Sequence, residues 1–330
     1  MLTTMTIEWD KAAAAVDAAE RILLVTHLHP DGDAIGSLLG LRNALVERGK
    51  TPDAVVDGGV PPYLRFVPGS DQVRSTLVEG EWDLMISLDS SDEERTGAAG
   101  VYGRAHSKVV MNIDHHPTNT MFGSIYLVQP EAVSTTEVLY GWFEHIGLAI
   151  SKDVALPLLV GLVTDTNAFR TSNVNARTLH LAQVFMESGA SLTEVTARTV
   201  SSTPYNTVEL WRSALQTVAL EDGVISATIT QDSLKQLKLV EPTDAGLIGF
   251  MISTDESRVA VVFKELADGR VELSFRSKPG FDVSQVALSL GGGGHKQASG
   301  ATIAGPIEAA RARVLPLLRE VVRQGALVIR

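Results

Sequence analysis

The chain has 330 residues, with 28 basic and 39 acidic side chains and a formal net charge of −11. This balance excludes a protein that coats long nucleic acid, since such proteins are basic, so its partners should be small or should include cations. With no cysteine, the sequence also excludes disulfides, zinc–thiolate sites and iron–sulfur clusters.

The first half of the chain alternates strand and helix patterns. After an N-terminal amphipathic helix, strands are predicted over 21–27, 53–57, 83–89 and 108–114, and helices over 34–49, 135–146 and 153–164. This rhythm predicts a doubly wound parallel sheet with helices on both faces. No apolar run approaches the roughly 20 residues that cross a bilayer. We therefore expect no membrane contact and a cytoplasmic location.

The pattern changes after about residue 190. A Ser/Thr/Pro break near 201–204 predicts a linker over 201–215, which separates a catalytic domain over 1–200 from a smaller α+β domain over 216–330. The second part contains a predicted strand over 223–230, two strands joined by Asp268-Gly269, and a final helix from about residue 307. Asp-Gly between alternating strands is a hairpin signal.

Acidic side chains and histidines gather where the predicted strands end. They are His27, Asp31 and Asp33 after the first strand, Asp89 after 83–88, Asp114, His115 and His116 after 108–113, and Asp165 at the end of the apolar run LPLLVGLVTD. The carboxyl ends of parallel strands line one edge of a sheet, so these side chains should converge. One such aspartate alone is more often a helix N-cap.

Several unpaired acids at one edge would repel one another and destabilise the fold. A pair of divalent cations removes that conflict, and histidine with carboxylate but no sulfur suits Mn²⁺, Fe²⁺, Co²⁺ or Zn²⁺. Two ions would activate water for attack on phosphorus or carbonyl centres. Asp89 stands alone after its strand and is predicted to bridge them.

A glycine-rich stretch, SLGGGGHKQASG (289–300), marks the second domain. Gly293 and Gly294 could let the backbone approach an anion closely, although a lone glycine run is more often a flexible linker. His295 follows at once and Arg276 ends a predicted strand, which favours an anion pocket. Arg276 is predicted to hold a phosphate or carboxylate in a bidentate manner.

These segments resemble the DHH phosphoesterase superfamily, whose signature triad stands here as Asp114-His115-His116. HLHPDGDAIGS, LDSSDEERTG, NIDHHPTNTMFG and GLVTDTNAFRTSN are similar to its four motifs, and SFRS and GGGGHKQASG to its C-terminal DHH-associated domain. The one departure noticed is Asn167, where glycine is common. The length of the chain and its pair of domains most resemble those of the bifunctional oligoribonuclease/PAP phosphatase group.

The resemblance implies hydrolysis of very short single-stranded RNAs to mononucleotides and of 3′-phosphoadenosine 5′-phosphate (PAP) to AMP, in a cleft between the domains. It also implies two Mn²⁺ ions, and a homodimer. The implied first ion is held by His27, Asp31 and Asp89, and the second by Asp33, Asp89, His115 and Asp165. His116 would face the scissile phosphate and Asp114 would orient an imidazole. The implied substrate contacts are Arg276, His295, Gly293 and Gly294, with Arg170, Ser134 and Thr135 as further candidates.

Other members of the superfamily leave alternatives open. The chain could cleave linear or cyclic dinucleotides of the c-di-AMP/pApA type. A manganese-dependent inorganic pyrophosphatase is less favoured, because a basic signature is expected where this chain has GGGGH. A longer single-strand exonuclease is less favoured, because such relatives carry additional binding modules for which 330 residues leave no room. A binding protein without catalysis is disfavoured because every predicted metal ligand is intact.

Overall fold

The computed structural model describes residues 7–328 except 238 and 240–242. The chain divides into two compact units, Met1–Ser202 and Thr203–Arg330. No helix within the described residues is long and apolar enough to span a membrane.

The first unit contains seven described α-helices and five β-strands. In chain order they are α1 (Trp9–Ala18), β1 (Ile22–Val25), α2 (Gly32–Glu47), β2 (Asp53–Val55), β3 (Trp82–Leu88), α3 (Gly97–Ala105), β4 (Ser107–Asp114), β5 (Ile125–Val128), α4 (Thr135–His145), α5 (Lys152–Asp165), α6 (Ala176–Glu187) and α7 (Leu192–Thr199). Short 3₁₀ helices lie at Pro62–Leu64, Ser70–Gln72 and Glu94–Thr96.

The sheet of the first unit is parallel throughout, in the order β2-β1-β3-β4-β5. Strand β1 is buried on both faces: Ile22 and Leu24 pack into the larger core, and Leu23 and Val25 into a smaller one. This explains why it reads as a continuous apolar run. The predicted doubly wound parallel sheet is confirmed, and the strand order reverses between β1 and β3, the place where such sheets bind ligands.

Helices α2 and α5 approach each other so closely that only glycine fits at their contact. A Cβ on Gly36 would lie 2.5 Å from the Pro157 carbonyl oxygen, and one on Gly32 would lie 2.4 Å from Thr164 Oγ1. The second contact joins the start of α2 to the end of α5. It therefore places Asp33 beside Asp165, although 132 positions of sequence separate them (165 − 33).

Among its described residues, the second unit contains five α-helices and six strands. They are α8 (Tyr205–Leu215), β6 (Ala219–Glu221), β7 (Val224–Ile229), α9 (Gln231–Gln236), α10 (Leu247–Ile252), β8 (Val259–Glu265), β9 (Val271–Ser277), α11 (Ser284–Ser289), β10 (Gly293–His295), β11 (Ala298–Ile303) and α12 (Ile307–Val328). The sheet order is β10-β11-β9-β8-β7-β6, with β7 and β8 parallel and the other pairs antiparallel.

In the second half, the predicted linker and the glycine run both contain regular secondary structure. The segment predicted as a linker, 201–215, is helical over Tyr205–Leu215, because Leu210 and Ala214 pack into the core of the second unit. The glycine run does not form a loop throughout: Gly293 and Gly294 lie in β10, paired with Gly300 and Ser299. The hairpin at Asp268-Gly269 is confirmed by the β8–β9 pair.

Candidate active site

The turn after β1 delivers a histidine and an aspartate. His27 is buried; its Nδ1 lies 2.7 Å from the Leu28 carbonyl oxygen, which leaves Nε2 directed at Asp89, 3.5 Å from Oδ2. Asp31 caps α2, because its Oδ1 accepts hydrogen bonds from the amides of Asp33 and Ala34. Its second oxygen stays available for a ligand.

Asp89 follows β3 in a strained conformation. Its φ of 57° is in the left-handed region, which costs a non-glycine residue on the order of 1–3 kcal/mol. The residue is 2 % exposed, with Oδ2 toward His27 and Oδ1 3.8 Å from His115 Nε2. The two oxygens of this carboxylate thus face two different groups of donors.

Asp33 is fully buried in the first turn of α2. Oδ2 accepts the amide of Thr135 at 2.6 Å and Oδ1 the amide of Thr136 at 3.1 Å, both at the start of α4. Oδ2 also lies 3.9 Å from His115 Nε2.

Asp165 and His115 complete this side of the site. His115 Nε2 lies 3.2 Å from Asp165 Oδ2, and its Nδ1 lies 3.3 Å from the Ala132 carbonyl oxygen. Asp165 does not follow a strand, as its grouping with the strand ends implied: it is the last residue of α5. It reaches the edge of the sheet because α5 packs closely on α2.

Three groups of ligand atoms lie close enough to hold a metal ion, within 4.8 Å of one another in each group. They are His27, Asp31 and Asp89; Asp33, His115 and Asp165; and Asp89, His115 and His116. The first two are the predicted ligand sets, apart from Asp89 in the second set. Asp89 belongs to the first and third groups, and His115 to the second and third, so these two residues connect the three groups.

The pKa values at this edge indicate that donors of the protein offset the burial of these carboxylates only in part. Burial, followed by the charges of neighbouring aspartates, raises the pKa of Asp33 and Asp89 well above the usual range. Burial likewise raises the pKa of Asp165. Burial lowers the pKa of His115, but its hydrogen bond to Asp165 and the charges of Asp33, Asp165 and Asp89 outweigh burial and raise the pKa to about 10. A cation would relieve the same repulsion.

Asp114 and His116 form a separate pair. Asp114 Oδ1 lies 2.7 Å from His116 Nδ1, and Oδ2 accepts a hydrogen bond of 2.5 Å from the Asn119 amide. Burial raises the pKa of Asp114, but these two hydrogen bonds outweigh burial and leave the pKa below its usual value. The hydrogen bond to Asp114 raises the pKa of His116. His116 is therefore held through Nδ1 with Nε2 free.

In the second unit, Arg276 and His295 share one row of the sheet. Ala298 pairs with His295 on one side and Arg276 on the other, and Arg276 pairs with Ala260. Paired residues point to the same face, so Ala298 lies between the side chains of Arg276 and His295, whose backbones are about 10 Å apart across two strand spacings. The row runs from buried Ala260 through half-buried Arg276 and Ala298 to exposed His295.

The predicted glycine contacts divide into two kinds. A Cβ on Gly294 would lie 2.6 Å from the Ala298 carbonyl oxygen, so this glycine serves the close approach of β10 to β11 and not of a ligand. Gly293 has open space on its Cα and stays available for a ligand.

The other predicted contact residues are used as follows. Arg170 is exposed, and its guanidinium donates to the backbone and side chain of Asn167. Ser134 and Thr135 are fully buried, so a direct substrate contact is corrected to an internal role: Ser134 caps α4, and the Thr135 hydroxyl donates to Asp89 Oδ1 at 2.8 Å. His29 is outside the three groups and lines a surface cavity of about 690 Å³ with Leu28, Asp92, Glu94 and Arg95.

Two further residues hold the site and were not singled out from sequence. Asn119 fixes Asp114 and follows it by five positions in the same motif, so its proximity was a usable signal. Gly161 leaves room for Asp33: a Cβ there would lie 2.4 Å from Asp33 Oδ1. The local sequence of α5 does not predict this contact.

Comparison with known proteins gives consistent matches. The sequence matches the DHH family, N-terminal domain, over residues 21–162 and the DHHA1 domain over residues 241–324. It is 34% identical over 320 residues to the bifunctional oligoribonuclease and PAP phosphatase NrnA of Thermus thermophilus, covering 94% of each chain. It is 31% identical to the protein of that name from Bacillus subtilis, covering 86% of this chain and 90% of the other.

Among solved structures, the fold is similar to that of an exopolyphosphatase-related protein from Bacteroides fragilis. The TM-score is 0.86 at 23% identity, and the match covers 100% of both chains. At this identity the likeness concerns the fold.

Proposed function

The chain belongs to the DHH family of phosphoesterases, and from this we propose that it hydrolyses very short oligoribonucleotides to nucleoside monophosphates and PAP to AMP. The observation that carries the proposal is the Asp89 carboxylate, whose two oxygens face two separate groups of histidine and aspartate ligands. The relatives named as oligoribonuclease and PAP phosphatase, matched over nearly their whole length, supply the substrate class.

The donor atoms fit two divalent ions. They are carboxylate oxygens and imidazole nitrogens without sulfur, a set that suits Mn²⁺ and related ions. Within the described residues, the basic side chains in contact with Asp33 and Asp89 are histidines, which are themselves able to bind a metal ion. We propose His27, Asp31 and Asp89 as ligands of one ion, and Asp33, Asp89, His115 and Asp165 as ligands of the other.

Different groups in the site have different proposed roles in hydrolysis. Divalent ions, when bound there, supply the Lewis acidity that activates water and neutralises charge on phosphoryl oxygens. Asp114 fixes the ring of His116 through Nδ1. His116 Nε2 is then free to donate a proton to the leaving oxygen of the scissile bond, as a general acid does.

We propose that the row formed by Arg276, Ala298 and His295 in the second unit binds a second anionic group of the substrate. Arg276 offers a planar pair of donors for a phosphate, and His295 offers a further donor on the same face. Ala298 is small, which leaves space between them for a compact anion. A site that recognises so short a ligand needs no extended basic track, which accords with the net charge of −11.

A substrate panel tests the proposal. RNAs of two to ten nucleotides, PAP, cyclic dinucleotides and pyrophosphate are compared by kcat/KM with Mn²⁺, with and without a chelator. We expect the highest values for the shortest RNAs and for PAP, and loss of activity with the chelator. Cyclic dinucleotides as best substrates would favour the dinucleotide phosphodiesterase alternative, and far faster turnover of pyrophosphate would favour the pyrophosphatase.

A further inference from the structure

The start of α4 contacts two of the buried carboxylates at once. The backbone amides of Thr135 and Thr136 donate to the two oxygens of Asp33, and the Thr135 hydroxyl donates to Asp89 Oδ1. All four residues are at most 2 % exposed. One short segment thus fixes the orientation of an aspartate from α2 and of the shared aspartate that follows β3.

Capping of the helix does not account for the Thr135 hydroxyl. Ser134 is the N-cap: its hydroxyl accepts the Glu137 amide at 3.1 Å and is paired with Thr136 Oγ1 at 2.8 Å. In return, the Glu137 carboxylate accepts the Val133 amide at 2.9 Å. The helix end is therefore satisfied without the Thr135 side chain, which is left to serve Asp89.

The surrounding backbone makes room for this contact. A Cβ on Gly161 of α5 would lie 2.4 Å from Asp33 Oδ1 and 2.5 Å from Thr136 Cγ2. Helices α2, α4 and α5 therefore meet at the Asp33 carboxylate, with no space for a side chain at position 161. Such packing holds the carboxylate in one orientation before any ligand binds.

We propose that Thr135 is a positioning residue for the metal centre, which holds Asp33 through its amide and Asp89 through its hydroxyl. The inference rests on the proposed function in that it takes these carboxylates as metal ligands. Each carboxylate oxygen has two lone pairs, so an oxygen that accepts from Thr135 keeps one for an ion. Partners of this kind fix ligand geometry, and their loss costs about 10- to 100-fold in metal affinity or activity.

The test is the affinity of the metal-free full-length protein for Mn²⁺ alone, measured by electron paramagnetic resonance of the free ion. Thr135→Val removes the hydroxyl at nearly constant shape and should weaken binding of at least one ion about 10- to 100-fold. Thr135→Ser keeps the hydroxyl and should bind within about threefold of wild type. Thr178→Val is the matched control, because Thr178 is a fully buried threonine that accepts the Asn175 amide in the α6 cap.

Circular dichroism and thermal melting of the same variants separate misfolding from loss of metal. Mn²⁺ binding by Thr135→Val equal to wild type would overturn the inference, as would equal loss in Thr135→Ser or in the Thr178→Val control. A wild-type protein that binds no Mn²⁺ would overturn it too. A wild-type protein that binds Mn²⁺ and depends on Thr135, but leaves RNA and PAP intact, would instead overturn the proposed function.

Discussion

Three aspartates of the proposed metal site in the first unit are buried and held by fixed donors, although Asp31 is exposed, whereas the Arg276–His295 row in the second unit is half-buried to exposed. Asp33, Asp89 and Asp114 are each at most 2 % exposed and accept hydrogen bonds from fixed donors. His295 is exposed, and the half-buried Arg276 donates to the neighbouring Phe275 carbonyl. Rigid placement suits bond cleavage and adaptable side chains suit capture. Variants of the first unit should therefore act on turnover, and variants of the second on KM.

The largest effect is expected for Asp89→Asn, which keeps the shape of the side chain and removes its charge. Both proposed metal sites lose the carboxylate that they share, so kcat should fall by roughly 1,000-fold or more. Steady-state hydrolysis of a diribonucleotide measures the loss. Turnover near the wild-type rate would contradict the bridging assignment.

The next effect is expected for His116→Gln. Loss of a positioned general acid reduces kcat by about 10²- to 10⁴-fold, while KM should change little because Arg276 is untouched. The effect should be smaller for a substrate with a good leaving group, such as a nitrophenyl ester of a nucleotide. His180→Gln, an exposed histidine of α6, is the control. An equal loss for both leaving groups would argue against proton donation.

Arg276→Ala should act on capture. A hydrogen bond to a charged group contributes about 1.5–3 kcal/mol, which corresponds to a rise in KM of about 10- to 100-fold. The value of kcat should stay within a few-fold, and Arg276→Lys should restore little, because lysine lacks the planar pair of donors. A fall in kcat at unchanged KM would contradict the assignment of substrate binding to the second unit and of turnover to the first.

The smallest effect concerns the stability of the metal-free protein. Because the folded-state pKa of Asp33 is raised, the folded chain binds more protons than the unfolded chain, and the free energy of unfolding falls as pH rises above the ordinary aspartate range. Asp33→Asn removes this charge but also replaces one oxygen that accepts a backbone amide with a nitrogen, so its melting temperature relative to that of wild type should be higher at pH 7 than at pH 5. Each kcal/mol corresponds to about 2–4 °C.

Asp71→Asn, at an exposed aspartate, is the control for this comparison. Equal pH dependence of melting in wild type and Asp33→Asn would contradict the burial of a charge that the protein compensates only in part. Added Mn²⁺ should raise the melting temperature of wild type more than that of the variant, because wild type gains ligand binding that the variant lacks.

Sequence alone predicted the family, which is confirmed, and the parallel sheet, because β1, β3 and β4 are apolar runs that end in charge. The short strand β5 and the glycine strand β10 were missed, since neither has a strong period. The convergence of acids predicted which residues meet but not what holds them. The amide of Thr135 reaches Asp33 across 102 positions of sequence, and Asp165 arrives on a helix. Such contacts depend on how helices pack, which no local pattern encodes.

The most direct test of the account is a crystal of the full chain grown with Mn²⁺ and measured at the manganese absorption edge. The account predicts two anomalous peaks, one beside His27 and Asp31 and one beside Asp33, His115 and Asp165, with a different oxygen of Asp89 on each. A single peak, or two peaks that leave Asp89 without a metal contact, would contradict it.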